Sequence, residues 1–298
     1  MQIKQRFWKR SGYVAIEMEN GRFQKFGGDN DSLDFKFEGV KLGDICNDFT
    51  VSILGLSTDT INTLTVWDLA RAIKRRRKIR VYAGYSTDSI ASPIFEGIVM
   101  EAIPSPPPNK WLSFKCMYIG PQPEPGIATQ YVEGKIEKVF KQLVKNVNLT
   151  YENKTTTESY VPMWKVTSVD KNQTVKFKID KSPMANLSDF ANTFGIKCYC
   201  EGVCIYAVDA KGWYKTPHDA KVISVDTGLI DIPFIDLAGA KIKLRLSDDI
   251  ALFSWVYLKS ELIPSANGYY YAIEKKQVGH FRGDDWYTEI TTMRAVSK

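Results

Sequence analysis

The chain has 298 residues, more than a single hydrophobic core usually organises, so two or three domains are expected. Hydrophobic residues make up 44% of the chain and charged residues 25%, and these proportions exclude a disordered or collagen-like protein. The net charge of +6 is spread along the chain, so it favours solubility and partner steering over a dedicated nucleic-acid-binding function.

Residues 1–10 are cationic, but no apolar run follows them, so the sequence predicts no secretory signal. The longest apolar stretches are far shorter than the roughly 18 residues that a membrane-spanning helix needs. We therefore expect the chain to fold in a cytoplasm-like compartment without inserting into a membrane.

Residues 22–120 are predicted to form strands with one helical interruption. Apolar and polar residues alternate over 34–39 and 49–56, as expected for strands with one buried face. Several candidate N-cap residues between 57 and 62 then precede a helix with an apolar stripe at helical spacing: Leu64, Trp67, Ala70 and Ile73.

A meander completes this first β domain, which we place at residues 1–120. Its strands are predicted at 79–85, 94–103 and 111–118, with loops rich in Ser, Asp and Pro between them. Fifteen Tyr, fifteen Phe and seven Trp residues support β structure, because large flat side chains pair across strands. The domain is therefore expected to be a small antiparallel barrel or sandwich.

A proline-rich linker is predicted at residues 121–130, because its closely spaced prolines cannot donate hydrogen bonds to a strand ladder. It separates the first β domain from a middle α+β module at residues 131–211. The first helix of this module has an apolar stripe formed by Ile136, Val139, Phe140, Leu143 and Val144.

The rest of the middle module combines a strand, a second helix and a hairpin. The strand is predicted at 175–180, where polar and apolar residues alternate. The second helix has Pro183 in its first turn and Gly195 where a left-handed C-cap residue belongs. The hairpin over 196–208 closes the module.

Residues 212–298 are predicted to form a second β domain, with strands at 221–225, 240–246, 252–259, 269–278 and 286–296. Both β domains end in a long strand, a connector and a closing strand that begins with a tryptophan, Trp111 or Trp286. This pattern is typical of a duplication. It is also what a meander gives when aromatic residues begin its strands, and the sequence leaves both interpretations open.

Five cysteines include the cluster Cys198, Cys200 and Cys204, which raises the question of a metal site. If residues 201–202 form a two-residue turn, Cys204 points to the face opposite its two neighbours, so one ion could not bind all three. The spacing also matches no zinc-ligand pattern. Buried structural thiols are therefore predicted, and no metal or cofactor is expected.

Acid–base catalysis has few candidate residues in this chain. The two histidines, His218 and His280, lie in loop-like contexts. The acid pairs 248–249 and 284–285 lie beside turn residues, which favours solvated loops over catalytic carboxylates. The sequence contains no nucleophile elbow, phosphate-binding glycine loop or HExxH stretch. We therefore expect no enzyme activity and assign no catalytic residue.

Two features bear on nucleic-acid binding. The cationic run 74–78 could contact phosphates, but its place in the last helical turn favours a solvated helix end or an acidic protein partner. Four aromatic residues could offer stacking platforms on an oligonucleotide-binding barrel, although alternate aromatics on strands are more often core: Tyr82, Tyr85, Trp111 and Tyr118.

Several short motifs follow one another in a recognisable order over almost the whole chain. The N-terminal motifs are ILGLS at 53–57, VYAGY at 81–85 and IFEGI at 94–98, and the C-terminal ones are TGLIDIP at 227–233, GYYYAIE at 268–274 and GHFRGDDWYT at 279–288. Their order and spacing resemble the central baseplate hub proteins of contractile-tailed phages, a family that includes the N-terminal part of type VI secretion spikes. Unlike the spike fusions, the chain ends at Lys298, so we expect no needle of its own.

The resemblance implies two small tail-tube-like antiparallel β-barrel domains around the middle module. It implies a homotrimer whose six alike units form a pseudo-sixfold ring, which joins the tail tube protein to the central spike protein and lines the ejection channel. Other baseplate proteins would bind the middle module, and DNA would contact the ring only in transit. The expected location is the tail baseplate of the virion, after synthesis in the host cytoplasm.

Two other classes of function stay open from the sequence. One is a β-barrel binding module for carbohydrate or single-stranded nucleic acid, and the other is a hydrolase. A stable trimer with a central hole would favour the hub, whereas a monomer retained on a heparin or DNA column would favour a binding module.

Overall fold

The structure, a computed structural model, describes residues 9–28, 32–43, 48–65, 77–87, 92–118, 129–152, 160–201 and 204–295. Strand is the dominant secondary structure in these ranges, and it is accompanied by three α-helices. The prediction of a mainly β protein with α+β character overall is therefore confirmed. In the same ranges, no helix has both the length and the apolar character that crossing a membrane requires.

The first β region contains seven described strands and one helix: β1 Arg10–Glu17, β2 Phe23–Phe26, β3 Asp34–Lys41, β4 Asp48–Leu54, α1 Thr58–Thr65, β5 Lys78–Tyr85, β6 Phe95–Pro104 and β7 Trp111–Met117. The alternation predicted over 34–39 and 49–56 corresponds to β3 and β4. β1 is not among the predicted strands, although its Val14 and Ile16 are fully buried. The start of the predicted helix is α1, which includes Leu64. Residues 66–76, with Trp67, Ala70, Ile73 and most of the cationic run, lie outside the described residues, and Lys78 begins β5 rather than ending a helix.

The middle module contains β8 Gln130–Lys135, α2 Ile136–Glu152, β9 Val161–Trp164, β10 Thr174–Ile179, α3 Pro183–Phe194, β11 Ile196–Glu201 and β12 Cys204–Asp209. The Ser182 hydroxyl caps α3 by accepting from Ala185 N, and Gly195 ends the helix in the left-handed conformation, as predicted. The predicted linker 121–130 lies outside the described residues up to 128, and its last residue, Gln130, already belongs to β8.

The second β region contains β13 Lys221–Ile223, β14 Phe234–Ile235, β15 Gly239–Arg245, β16 Trp255–Leu258, β17 Gly268–His280 and β18 Trp286–Arg294. Five of these strands correspond to predicted ones. The exception is β14, which is too short for its residues to show a period of two.

The two β regions have the same strand order. Hydrogen-bonded neighbours run β3-β4-β7-β6-β5-β1 in the first, with β2 beyond β1, and β14-β15-β18-β17-β16-β13 in the second. When β2 is left out, the first to sixth strands along the chain in one region have the same places in the strand order as the first to sixth strands in the other. We call β1–β7 with α1 the first unit and β13–β18 the second unit. The shared order supports the predicted duplication, with one difference: β1 is antiparallel to β5, whereas β13 is parallel to β16.

The long hairpins of the two units also share an irregularity. β6 pairs with β5 over residues 95–98, and its register with β7 shifts at Met100. β17 pairs with β16 over residues 268–271, and its register with β18 shifts at Ile273. In each long strand a single residue, Val99 or Ala272, lies between the last residue paired with the preceding strand and the residue of the β-bulge. The two long strands can therefore be aligned residue by residue at this place.

Both units belong to one sheet of 13 described strands, because β17 of the second unit pairs with β3 of the first. Residues 275–280 run antiparallel to residues 36–41, and we call this contact the unit junction. The described pairings form an open path from β14 to β2. Closure of either unit into a barrel stays a prediction, as do the domain boundaries.

Three groups of buried residues form the core. The largest extends through the first unit and the middle module, and it includes Trp286 from the second unit. A second lies within the second unit, around Ile242, Val256, Tyr270 and Ile290. A small third group joins the middle module to the second unit through Tyr199, Val208 and Leu252.

Candidate assembly interface

The unit junction contains a tryptophan of the second unit that is buried in the first. Trp286 is 5% exposed, and its ring meets those of Phe35 and Phe37 edge-on, at centroid distances of 6.2 and 5.6 Å. Its Nε1 donates a hydrogen bond to Gly84 O at 3.1 Å. Edge-on aromatic pairs contribute about 0.5–1.5 kcal/mol each beyond their buried area. Trp286 therefore anchors the second unit in the core of the first.

A buried tyrosine of the first unit connects two segments of the second. The Tyr85 hydroxyl donates to Trp286 O at 3.4 Å and accepts from Leu246 N at 3.2 Å. Because this phenol is buried, both hydrogen bonds form away from water, where the loss of either partner is costly. Tyr85 thus serves the unit junction.

The tip of the β17–β18 hairpin is held by Arg10 and Asp34 of the first unit. Arg10 Nη1 donates to His280 O at 2.9 Å, and Nη2 donates to Asp284 O at 2.8 Å. The Asp34 carboxylate lies 2.7 Å from His280 Nε2 and accepts from Arg282 N at 3.1 Å. These contacts fix the register of the hairpin tip. His280 is the last residue of β17, and its side chain contributes to this contact between the two units.

A buried ionic cluster lies at the other end of the unit junction. Lys41 and Lys275 are directly opposite each other on β3 and β17, and both are buried. Like charges in such a cross-strand pair are destabilising unless anions compensate them. Lys41 Nζ lies 2.9 Å from Glu201 Oε1, and Lys275 Nζ donates to the Asp248 carboxylate. The two carboxylates come from the middle module and the second unit, so the cluster connects all three parts of the chain.

Burial and neighbouring charges shift the pKa values of this cluster. Burial lowers the pKa of Lys275, and the charge of Lys41 lowers it further. Burial alone would raise the pKa of Asp248, but the charges of Lys275 and Lys41 hold it below its ordinary value. Removing one partner of a buried ion pair leaves an uncompensated charge, at a typical cost of about 3–5 kcal/mol. The cluster therefore favours a single arrangement of the three parts.

The edge strand β14 lies in a segment with exposed apolar side chains. Ile230 is 48% exposed, Ile232 56% and Phe234 65%, and Leu237 is fully exposed. The first three alternate in sequence, so an extended backbone places them on one face. In the described residues, β14 is the last strand at its end of the sheet. We call residues 230–237 the open edge, and an exposed apolar sheet edge is typical of a surface that another chain covers.

The cysteine cluster is divided between two faces of the β11–β12 hairpin. Cys198 and Cys200 are buried, and the register places Cys204 opposite Glu201, on the other face. The predicted division is thus present, but because residue 201 is paired, the predicted turn at 201–202 is wrong. Burial raises the pKa of the Cys198 thiol to about 12, so this side chain stays protonated. No group of three or more metal-ligating side chains occurs among the residues that the structure describes.

The acid pairs and the remaining histidine have different surroundings. His218 is exposed, with Nδ1 3.3 Å from Thr216 O. Asp284 and Asp285 accept backbone and arginine hydrogen bonds through their carbonyl oxygens at the hairpin tip. Asp248 and Asp249 are exposed loop residues, but the Asp248 carboxylate, 40% exposed, is also bonded to the buried Lys275.

The four aromatic candidates for base stacking are partly used in the core. Tyr85 and Tyr118 are each 4% exposed, which leaves no ring face for a base. Tyr82 stacks on Tyr13 at a centroid distance of 4.5 Å, and the Lys36 ammonium lies 4.6 Å from the centre of the half-buried Trp111 ring. The set therefore does not form a row of open platforms.

Sequence reasoning missed the residues of the unit junction. Lys275 lies in a polar run, 274–277, that is typical of a solvated strand, and its partners Glu201 and Asp248 are distant in sequence. From the sequence, Trp286 is recognisable only as the start of a strand. The shared hairpin pattern is the available sequence signal, because it predicts a long strand in the second unit whose edge needs a neighbouring strand.

Three solved structures resemble this fold over most of the chain. The tail protein from Neisseria meningitidis MC58 has a TM-score of 0.59 at 10% identity, with 95% of this chain and 97% of that one covered. The 43 kDa tail protein of prophage MuSo2 from Shewanella oneidensis has a TM-score of 0.59 at 8% identity, with 96% and 99% covered. The E. coli c3393 protein has a TM-score of 0.52 at 8% identity, with 89% and 74% covered. It is described as a type VI secretion component with structural similarity to the T4 tail proteins gp27 and gp5. The fold is thus that of phage tail proteins.

A family model narrows this class. The model for the baseplate hub gp41 matches residues 13–288, which is nearly the whole chain. The chain therefore belongs to the baseplate hub gp41 family, and the predicted resemblance to baseplate hub proteins is confirmed. Membership places it in the virion tail, in association with other tail and baseplate proteins. None of the curated proteins matches this sequence.

Proposed function

We propose that three copies of the chain form a ring of six alike units, which joins the tail tube to the central spike and lines the ejection channel. The observation that carries this proposal is the shared strand order of the two units. A chain with two such units lets a threefold assembly present six near-equivalent positions, so it can face a sixfold tube on one side and a threefold spike on the other.

The unit junction supports the same proposal. There β17 of the second unit satisfies the strand edge of β3 in the first, over residues 275–280 and 36–41. A ring in which each unit pairs with the next in this way has no long sheet edge left exposed to unwanted pairing. The open edge at 230–237 then belongs to a contact between copies.

In this role the chain acts without catalysis, metal or cofactor. The middle module is the docking site for other baseplate proteins, and DNA contacts the ring only in transit. The chain is made in the host cytoplasm and incorporated into the baseplate from there.

Sedimentation velocity and negative-stain electron microscopy test this proposal on the full chain, purified alone and co-expressed with the tail tube and spike proteins. We expect particles of three chains, with threefold symmetry and six lobes around a central hole. Single chains in both preparations, or rings of six chains, would contradict it. A monomer that is retained on a heparin or DNA column would instead favour the binding module.

A further inference from the structure

We infer that the distal half of β6 in one copy pairs with the open edge of the neighbouring copy, in the register that β17 and β3 use within one chain. The inference rests on the proposed ring and deepens it by naming the two edges that meet. The partner at the open edge is thus a second copy of this chain.

The distal half of β6 is the part that extends beyond β5. Among the described residues the ladder between β5 and β6 covers β6 up to Ile98, and on that side Val99 N donates to Arg77 O at 2.9 Å. Over residues 102–104 the strand pairing in the described part of the chain is with β7, on the other side. The corresponding part of β17 extends beyond β16 and pairs with β3. β6 therefore extends beyond its preceding strand as β17 does, but no described strand pairs with this extension in the way that β3 pairs with β17.

The bulges give the alignment of the two long strands. Placing Met100 on Ile273 puts Ala102 on Lys275. In the unit junction Lys275 is directly opposite Lys41 of β3. Ala102 of β6 is therefore expected opposite the residue of the second unit that corresponds to Lys41.

The ladders of the two units identify that residue. From Val99, the cross-strand partners through β7 and β4 lead to Gly39 of β3. From the equivalent Ala272, the partners through β18 and β15 lead to Ile235 of β14. Gly39 and Ile235 are therefore equivalent.

Two residues further along the chain, Lys41 corresponds by position to Leu237, which lies in the turn between β14 and β15, where Asp236 N donates to Gly239 O at 3.1 Å. We therefore place Ala102 of one copy directly opposite Leu237 of the neighbouring copy. The adjacent residue pairs then follow from the antiparallel register, so that Pro104 lies opposite Ile235.

The side chains at this contact suit two separate chains. Leu237 is fully exposed in the single chain, and neither it nor Ala102 carries a charge. Ile103, 45% exposed, falls opposite Asp236, whose carboxylate already accepts hydrogen bonds from Ala238 N and Gly239 N. An apolar contact can form on association without the desolvation cost that a pair like Lys41 and Lys275 would bring. Because Pro104 lacks an N–H, the ladder between copies is short, and side-chain burial contributes more than hydrogen bonds.

Disulfide crosslinking of the full chain tests this register, using a variant with Ala102→Cys and Leu237→Cys. Directly opposite residues have Cβ atoms about 4.5–5.5 Å apart, close to the separation that a disulfide spans. Oxidation should therefore join the copies into a covalent trimer, with dimers as the intermediate. The two single variants are controls, and so is Glu101→Cys with Leu237→Cys, because a shift of one residue turns the side chain to the opposite face.

The crosslinking is run on the chain alone and co-expressed with the tail tube and spike proteins, beside sedimentation of the native chain. A covalent trimer at least about tenfold more abundant in the Ala102–Leu237 pair than in the shifted pair supports the inference. If native particles contain three chains but this pair crosslinks no better than the single variants, the register is wrong while the proposed ring survives. If neither preparation contains three chains, the inference and the proposed function both fail.

Discussion

The unit junction and the open edge lie at equivalent places in the two units, but their side chains differ in kind. At one end of the unit junction, Lys41 and Lys275 meet two carboxylates, and at the other end Trp286 is buried. At the open edge, Phe234 and Leu237 are apolar and exposed. The first contact forms once, during folding, and its charged partners all belong to one chain. A contact that waits for a second chain is easier to form when no charge has to be desolvated.

The comparison also concerns the middle module. Its Glu201 compensates Lys41 at the unit junction, so the module is tied to one of the two equivalent places. In the proposed ring, three of six contacts between units would therefore carry a middle module and three would not. The inner strands can then be nearly sixfold while the outer surface stays threefold.

The largest expected effect is that of Trp286→Ala, which removes the anchor of the unit junction. We expect a loss of about 4 kcal/mol in the free energy of unfolding, because a large buried ring leaves a cavity. Trp111, which begins the closing strand of the first unit, is only half-buried, and Trp111→Ala should cost about 1 kcal/mol. Equilibrium unfolding in urea measures both values. Equal losses would show that the two hairpins are anchored alike.

The ionic cluster is tested by Lys275→Met, for which we expect a loss of about 2 kcal/mol in the free energy of unfolding. Asp248 then lacks its closest cation, but its side chain is 40% exposed and Lys41 Nζ stays 3.7 Å from it. Lys275→Met combined with Asp248→Leu should lose only about 1 kcal/mol, since the second pair, Lys41 with Glu201, stays intact. Urea unfolding of the single and double variants gives the comparison. A double variant that is no more stable than Lys275→Met would mean that the pair is not coupled.

A smaller effect is expected from the titration of Asp248. Its pKa is lowered in the folded chain, so its contribution is complete above the ordinary Asp value of about 3.9 and is lost as the pH falls through the folded-state value. The free-energy difference between the native chain and Asp248→Asn should therefore shrink below about pH 4. Because 40% of the side chain is exposed, solvent screens this effect, and it should stay below that of Lys275→Met.

Urea unfolding between pH 3 and pH 7 measures this difference. In a Lys275→Met background the same Asp248→Asn change should matter less at every pH, because the main cation is gone. A difference that grows towards acid pH would contradict the assigned direction of the pKa shift.

The part of the fold that the sequence predicted is the part with a local pattern. Strands β3 and β10 have one buried face, and their apolar residues recur with a period of two, at Phe35 and Phe37 and at Val175, Phe177 and Ile179. The helix α3 has a cap residue at each end. The repeated strand, connector and tryptophan fit two alike units, although they fit a simple meander equally well, and the family motifs indicate the class of protein.

The unit junction could not be predicted, because it depends on pairing between distant segments. Nothing near Lys275 in sequence distinguishes it from a solvated lysine, and its burial follows from the packing of β17 against β3 and β11. The open edge has the opposite difficulty. Its residues resemble a buried strand in composition, and only the sheet order shows that β14 has no described neighbour beyond it.

The smallest expected change in chain stability is that of Phe234→Asp at the open edge. Since this side chain is 65% exposed, the free energy of unfolding of a single chain should change by less than about 0.5 kcal/mol. Trimer formation should nevertheless weaken at least about tenfold, because association would bury an unpaired carboxylate. Tyr214→Asp, at an aromatic residue that is 56% exposed outside the open edge, is the matched control and should leave both quantities unchanged.

Urea unfolding and sedimentation equilibrium separate these two effects of Phe234→Asp. A loss of stability as large as that of Trp286→Ala would mean that Phe234 belongs to the core of its own unit, and the contrast between the two edges would disappear. Unchanged association would mean that the ring forms through another surface. Weakened association with an intact fold is the result that requires the open edge to be covered by a second chain, because a substitution that leaves the monomer unaltered can act on assembly only where chains meet.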